Sequence, residues 1–276
     1  MEATRILCTV ADGIAHVELA RPDKLNAMDH DVFAALGDTF AKLSVDPAVR
    51  VVVLSAQGKA FSAGLDLGWA ASQFAPVIVD GRADAGRWAE KQLRDIVWLQ
   101  AAINAVEESR PPVIAAVHGG CIGAGVDLVS ACDLRVASAD AYFRIAEVDV
   151  GITADLGTLQ RLPHIIPGGV VRELALTGRK MGAQEALRWG LVTELAADRD
   201  GAIGAAMTLA RMIAAKSPMA VAGTKRALNF ARGRSIEEGL RDVAQWNAAT
   251  LMNADLAAAM AAARKGEAPV FGDLAK

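Results

Sequence analysis

An α/β fold with a helical C-terminal region is predicted by three features of the 276-residue sequence. Residues 49–55 and 113–117 are runs dominated by valine, isoleucine, leucine and alanine, the composition of strands buried on both faces. Each run leads into a glycine-punctuated loop and then a helical stretch, so strand, loop and helix occur twice, as in sheets with crossover connections. From about residue 156 onward the pattern is mainly helical and rich in alanine, with Ser217-Pro218 and Gly266-Glu267 as its breaks. The expected organisation is a core over residues 1–200 followed by a helical region over 201–276.

The elements follow in order. Residues 6–10 and 14–19 alternate apolar and polar side chains around Asp12-Gly13, a β-hairpin signature. Arg21-Pro22-Asp23 ends the hairpin, and residues 29–43 have helical periodicity with Asp29 at the N-cap. After the strand at 49–55, residues 58–68 read as a loop. Residues 70–86 are polar and weakly patterned, and a long helix runs from about residue 87 to 108, stopped by Pro111-Pro112. The strand at 113–117 opens into the glycines of 119–125, and a helix begins over 126–131. Residues 134–137 and 142–145 read as short strands.

Composition excludes several classes of function. A formal net charge of -3 and 5% aromatic residues offer neither a basic field nor a stacking platform for nucleic acid. Lys216, Lys225, Arg226, Arg232 and Arg234 are the one basic cluster, and read as a solvated or phosphate-facing helix surface. No apolar run reaches the ~18 residues a membrane span needs. Cys8, Cys121 and Cys132 show no metal-ligand spacing, which fits a reducing compartment without a disulfide scaffold or zinc site. The first residues lack the pattern of a secretory leader and the last four, Asp-Leu-Ala-Lys, are not a peroxisomal address. A cytoplasmic location is expected.

Two loops could carry chemistry. Residues 60–67 read Ala-Phe-Ser-Ala-Gly-Leu-Asp-Leu, and residues 118–127 read His-Gly-Gly-Cys-Ile-Gly-Ala-Gly-Val-Asp. Small residues let backbone N–H groups approach a ligand, and a helix N-terminus adds positive potential. Either loop alone reads as a tight turn. Together they could direct two donors at one oxygen, an oxyanion hole made of backbone. The glycine order of the second loop departs from the dinucleotide-binding fingerprint.

Three carboxylates, Asp127, Glu147 and Asp155, lie in or just after the second unit. Taken singly, each reads as a helix cap or a solvated acid, the reading given to the nearby Asp133 and Asp149. Cys121 and Cys132 have no paired base, and His118 beside a glycine turn reads as a structural hydrogen-bonding group. No Gly-x-Ser-x-Gly nucleophile context is present.

Taken together, these segments resemble the crotonase (enoyl-CoA hydratase/isomerase) superfamily over nearly the whole chain. The resemblance is carried by Arg21-Pro22 with Leu25-Asn26-Ala27-Met28, by residues 59–67, and by Pro112 to Gly119 with the glycine loop. Thr158 to Leu162, Thr177-Gly178-Arg179, residues 186–192 and Lys216-Ser217-Pro218 complete it. Residues 113–181 most resemble the Δ3,5-Δ2,4-dienoyl-CoA isomerases.

The resemblance implies a spiral of ββα units assembled as a homotrimer or a dimer of trimers. Its substrate would be an acyl-CoA thioester, with coenzyme A as part of the substrate and no separate cofactor or metal. The acidic active-site positions of that family fall on Asp127, Glu147 and Asp155, and its oxyanion donors on the N–H groups of Leu65 and Ala124. Ala124 stands where glycine is usual, so its methyl narrows the acyl channel. The substrate would run along Ala63, Gly64, Leu65, Asp66, Leu67 and Gly68, with Gly125 at the second loop, and residues 70–86 would line the acyl site.

Moving a 3,5-diene into 2,4 conjugation takes a proton from C2 and returns one at C6, which suits two carboxylates better than one. Glu147 and Asp155 are the expected pair, Asp155 serving C2, with Asp127 orienting or tuning them. Three acids in an apolar pocket cannot all ionise cheaply, so at least one pKa should be raised. Hydration of a 2-enoyl-CoA is the main alternative, although hydratases of the superfamily pair two glutamates where this chain has Asp127 first. A 2-enoyl/3-enoyl isomerase needing a single base, and a non-catalytic acyl-CoA-binding protein, are the others.

Overall fold

A computed structural model describes residues 5–80 and 85–275, with side chains described for all of these except 74–80. The hairpin forms as its alternation predicts, β1 (Ile6–Ala11) pairing antiparallel with β2 (Ile14–Leu19). In α1 (His30–Val45) the Asp29 carboxylate accepts the Val32 N–H at 3.1 Å, capping the first turn. Val32, Phe33, Leu36, Phe40 and Leu43 recur at helical spacing and are buried. The strand β3 (Val51–Ala56) is buried along its whole length because it is central in the sheet.

The next segment departs from expectation. Residues 67–80, read as loop end and unpatterned chain, form α2 (Leu67–Asp80). The reason is a cap: Asp66 Oδ1 accepts the N–H groups of Gly68 at 3.0 Å and Trp69 at 3.1 Å. Residues 81–84 of the supposed acyl-lining stretch lie outside the described residues. The long helix α3 (Ala85–Glu108) begins two residues earlier than its pattern suggested.

The chain then winds between two sheets. β4 (Val113–Val117) enters the large sheet, β5 (Gly120–Ile122) the small one, and α4 (Ala124–Ser130) follows. β6 (Leu134–Ser138) and β7 (Tyr142–Arg144) repeat that alternation, after which come α5 (Thr158–Arg161) and α6 (Gly168–Thr177). β8 (Met181–Gly182), α7 (Ala183–Trp189) and β9 (Glu194–Ala196) close the pattern. The large sheet has the order β1-β2-β3-β4-β6-β9, parallel from β2 onward, and the small one β5-β7-β8. This is the expected α/β spiral. β5, β8 and β9 have only two or three residues each, too few to show a period, and exist through long-range pairing.

The alanine bias has a local cause. In α8 (Arg199–Ala214), Ala202, Ala206, Ala210 and Ala214 recur every fourth residue and pack on Ile14, Val51, Val53, Ile114, Ala116 and Val136 of the sheet. Small side chains let the helix lie close to a β-branched surface. The expected boundary at residue 200 falls at the start of this helix, which is part of the sheet's cover.

Three further helices follow: α9 (Pro218–Ala231), α10 (Ile236–Thr250) and α11 (Ala254–Lys265). Ile236, Leu240, Leu251 and Met252 in this region are exposed. No helix among the described residues is long and apolar enough to cross a membrane.

The basic cluster is not a solvated face throughout. Lys225 is buried, pairs with Asp133 at 2.9 Å, and donates to Pro111 O at 3.1 Å and Ser109 Oγ at 3.3 Å. It ties α9 to the α3–β4 connection. Asp133 also accepts the Val113 N–H at 2.7 Å, so it too is a structural group and not a solvated acid. Arg226 pairs with Asp242 and Arg232 with Glu107, which divides the remaining charge.

Candidate active site

The two glycine loops interlock at the C-terminal ends of β3 and β4. Ser62 and Cys121 form a parallel bridge, in which Ser62 N–H donates to Gly120 O and Ile122 N–H to Ser62 O, both at 3.0 Å. On the other side, Met28 N–H donates to Gly64 O at 2.8 Å and Asp66 N–H to Met28 O at 2.9 Å. Buried Asn26 fixes the entry: its side-chain NH2 donates to Gln57 O at 2.7 Å and Ala60 O at 2.9 Å, and its Oδ1 accepts from Arg21 N–H at 2.9 Å. The Leu-Asn-Ala-Met segment thus holds the first loop, a role its local pattern does not disclose.

Gly64 has φ +88°, and a β-carbon on it would stand 2.7 Å from Ile122 O and 3.5 Å from the Ala124 nitrogen. The Leu65 segment therefore lies directly against the start of α4. Among the described residues no acceptor faces the N–H of Leu65 or of Ala124. Two free backbone donors on adjoining loops, one at a helix start, suit an anionic oxygen.

The other residues expected to contact substrate have more specific places. Ala63 N–H donates to Leu25 O at 2.9 Å. Asp66 caps α2 and accepts from Arg21 Nη1 at 2.6 Å. The Trp69 N–H first, then Arg21, hold its carboxyl below the usual range, so it is committed to structure. Leu67 and Gly68 form the exposed first turn of α2. Gly125 is buried against Ser62, whose Cβ would be 3.0 Å from an added β-carbon, so its part is to let the loops close.

Glu147 follows β7 at the start of a 3-10 turn (Glu147–Val150). Gly123 N–H donates to Arg144 O at 2.9 Å, which draws this segment onto the second loop. Gly123 itself has φ +51°, and a β-carbon there would be 3.2 Å from Glu147 Oε1. Glu147 thus adjoins the residue preceding Ala124. Its Oε2 is buried with no partner among the described residues. Burial raises its pKa, and the charge of Asp155 adds to this. Asp155 is raised by burial too, although its residue surface stays open on one side. Asp149, five residues beyond the end of β7 and within the same 3-10 turn, pairs with Arg144 at 2.5 Å on the surface.

Asp127 is nearly inaccessible, at 1% exposure. Its Oδ1 accepts the Thr158 N–H at 2.6 Å, at the first residue of α5. Burial pushes its pKa to about 7, opposed by the Thr158 bonds and assisted by Glu147 and Asp155. The segment carrying Asp155 is thereby pinned from three sides. Gln100 Nε2 donates to Asp155 O at 2.6 Å, and Arg161 Nη1 to Leu156 O at 3.2 Å. Arg161 is in turn held by Glu107 at 2.8 Å and Asn104 at 2.6 Å. Sequence reasoning missed Gln100, Asn104 and Glu107 as supports. Their spacing along α3 puts them on one polar face, the only local signal available.

Asp127 allows a stability prediction. A carboxyl raised from an ordinary 3.8 to about 7 favours folding fully at low pH, and that contribution is lost as pH rises through the folded value. Asp127→Asn keeps an acceptor for Thr158 and removes the ionisation. Thermal unfolding should show the variant more stable than wild type at pH 8 and level with it at pH 4. Equal shifts at both pH values would mean that the aspartate is not held neutral.

The remaining candidates are structural. His118 Nε2–H donates to Gly58 O at 3.0 Å, as a turn-bracing histidine should. Cys121 and Cys132 are buried and burial raises both thiols, Cys132 to about 12.

Paired loop donors beside raised carboxylates on a ββα spiral define a class. A family model described as enoyl-CoA hydratase/isomerase matches residues 9–271, and the chain belongs to that family. Within it, the chain is 46% identical over 245 residues to the mitochondrial Δ(3,5)-Δ(2,4)-dienoyl-CoA isomerase of Homo sapiens, covering 88% of this chain and 74% of that protein. The peroxisomal protein of the same name from Arabidopsis thaliana is 44% identical over 261 residues, covering 95% and 93%. The crystal structure of enoyl-CoA hydratase from Bacillus anthracis superposes with a TM-score of 0.87 at 27% identity, covering 97% of this chain and 99% of that one.

Proposed function

We propose that this protein is an isomerase that converts 3,5-dienoyl-CoA to 2,4-dienoyl-CoA, a step of fatty acid β-oxidation. The observation that carries the reading is the presence of two carboxyls, Glu147 and Asp155, both raised by burial and neither paired with another side chain in the described contacts. The likeness to proteins named for this activity supports it.

In this reading the thioester oxygen accepts from Leu65 and Ala124 N–H as C2 loses its proton, so the developing enolate charge meets donors already in place. The nearness of Glu147 to Gly123 supports Glu147 as the base at C2, and Asp155 as the acid at C6. This reverses the order expected from sequence. Their mutual repulsion suits a pair that holds one proton between them. Asp127 acts through the Thr158 N–H as a positioning residue for the Asp155 segment. No cofactor enters the scheme, because coenzyme A belongs to the substrate. Assembly as a trimer or dimer of trimers, supported by the exposed apolar residues of the last helices, and a cytoplasmic location complete the proposal.

Hydration of 2-enoyl-CoA would need a water held between Glu147 and a free carboxylate at position 127. The engagement of Asp127 by Thr158 argues against it. The test is incubation with 3,5-octadienoyl-CoA, following the conjugated product by absorbance, alongside hydration of 2-octenoyl-CoA. Diene formation with negligible hydration is the expected result. Hydration without diene formation would transfer the function to the hydratase reading.

A further inference from the structure

We propose that a polar cleft on the outer side of Asp155 is the route by which water re-protonates that carboxylate between turnovers, while Glu147 has no access to it. The inference rests on the isomerase reading above and concerns how the enzyme returns to its starting state.

The cleft has a volume of about 470 Å³ and lies between α3 and the α5 segment. Its walls include Gln100, Asn104, Gln160 and His164, and Leu156 is the one large aliphatic residue among those lining it. Polar walls of this kind retain water, where an apolar cavity of similar size stays dry. Two acidic residues line it, Glu107 and Asp155. Glu107 is held by the guanidinium groups of Arg161 and Arg232, so Asp155 is the one left to exchange protons. Asp155 is open to solvent. Glu147 does not line the cleft, and its Oε2 is enclosed without a partner.

This asymmetry matters because the reaction leaves the pair in the wrong state. Glu147 takes a proton from C2, and the C–H electron pair enters the conjugated trienolate. The pair emerges at C6, where it takes the proton of the Asp155 carboxyl. Glu147 is then protonated and Asp155 ionised. To restart, Asp155 must gain a proton and Glu147 must lose one, with no net change. An internal transfer would pass the C2 hydrogen of one substrate to C6 of the next. A cleft open at Asp155 instead supplies a solvent proton there, and Glu147 gives its proton to water once the product has left.

The origin of the C6 hydrogen decides between these routes. The full-length enzyme is given [2,2-²H₂]-3,5-octadienoyl-CoA in H₂O under multiple turnover, and product deuterium is located by NMR. The expected product has lost one deuterium from C2 and carries none at C6. Deuterium appearing at C6 would overturn the proposal while leaving the isomerase reading intact. Absence of any 2,4-diene would instead remove that reading, and the proposal with it.

A second arm uses Gln160→Trp, a bulky change at an exposed residue of the cleft wall outside the proposed catalytic pair. It should lower kcat several-fold with KM little changed, and let C2-derived deuterium reach C6. Unchanged kcat and an unlabelled C6 in this variant would overturn the cleft as the route.

Discussion

Glu147→Gln should lower kcat for the 3,5- to 2,4-dienoyl conversion by ~10²–10⁴-fold, the range general acid–base catalysis supplies, with KM nearly unchanged. The glutamine is isosteric and neutral, as the wild-type side chain is when protonated, so burial beside Gly123 remains tolerable. What it lacks is a lone pair basic enough to take the C2 proton. Asp155→Asn should cause a loss of similar size, by removing the proton given to C6. Because the two act on one proton transfer sequence, the double variant should fall well short of the product of the single losses. Steady-state kinetics on 3,5-octadienoyl-CoA, with CoA-ester binding measured separately, checks this. A parallel loss of binding and turnover in both single variants would assign the carboxylates a structural role.

Gly64→Ala should be nearly as damaging, although it touches no ionisable group. The added methyl would need left-handed backbone at φ +88° and would meet Ile122 O at 2.7 Å. The loop must shift, carrying the Leu65 segment and its N–H away from the start of α4, where the Ala124 nitrogen lies. Losing one such donor costs ~3–4 kcal/mol of transition-state stabilisation, or ~10²–10³-fold in kcat. Ala124→Gly is the matched control. It keeps the N–H and removes only the methyl expected to narrow the acyl channel, so kcat should stay within a few-fold while the preference among acyl groups widens. A Gly64→Ala enzyme with wild-type kcat would exclude the backbone donors from catalysis.

Much of this was legible without coordinates, because local physics dictates it. Asp29 caps a helix wherever the backbone turns, so α1 was visible from its start signal and its apolar stripe. The valine-rich β3 and β4 declared themselves as buried strands, and a glycine loop between strand and helix is a ready source of free N–H groups. The order of Asp127, Glu147 and Asp155 within one recognisable stretch was likewise a property of the chain.

What the chain did not disclose depends on partners far away in sequence. α2 had a weak pattern and was missed although its cap, Asp66, is local; the distant part is Arg21, which engages Asp66 across the first loop. Lys225 read as a surface charge until Asp133, Ser109 and Pro111 surrounded it. Asp127 was expected to orient or tune the other two acids, yet the group it engages, the Thr158 N–H, appears only in the folded chain. The chemistry available at this site was therefore set by residue types and local motifs. Which carboxyl adjoins the backbone donors, which one meets water and which one braces the others was decided by tertiary packing, because burial and proximity are properties of the folded chain.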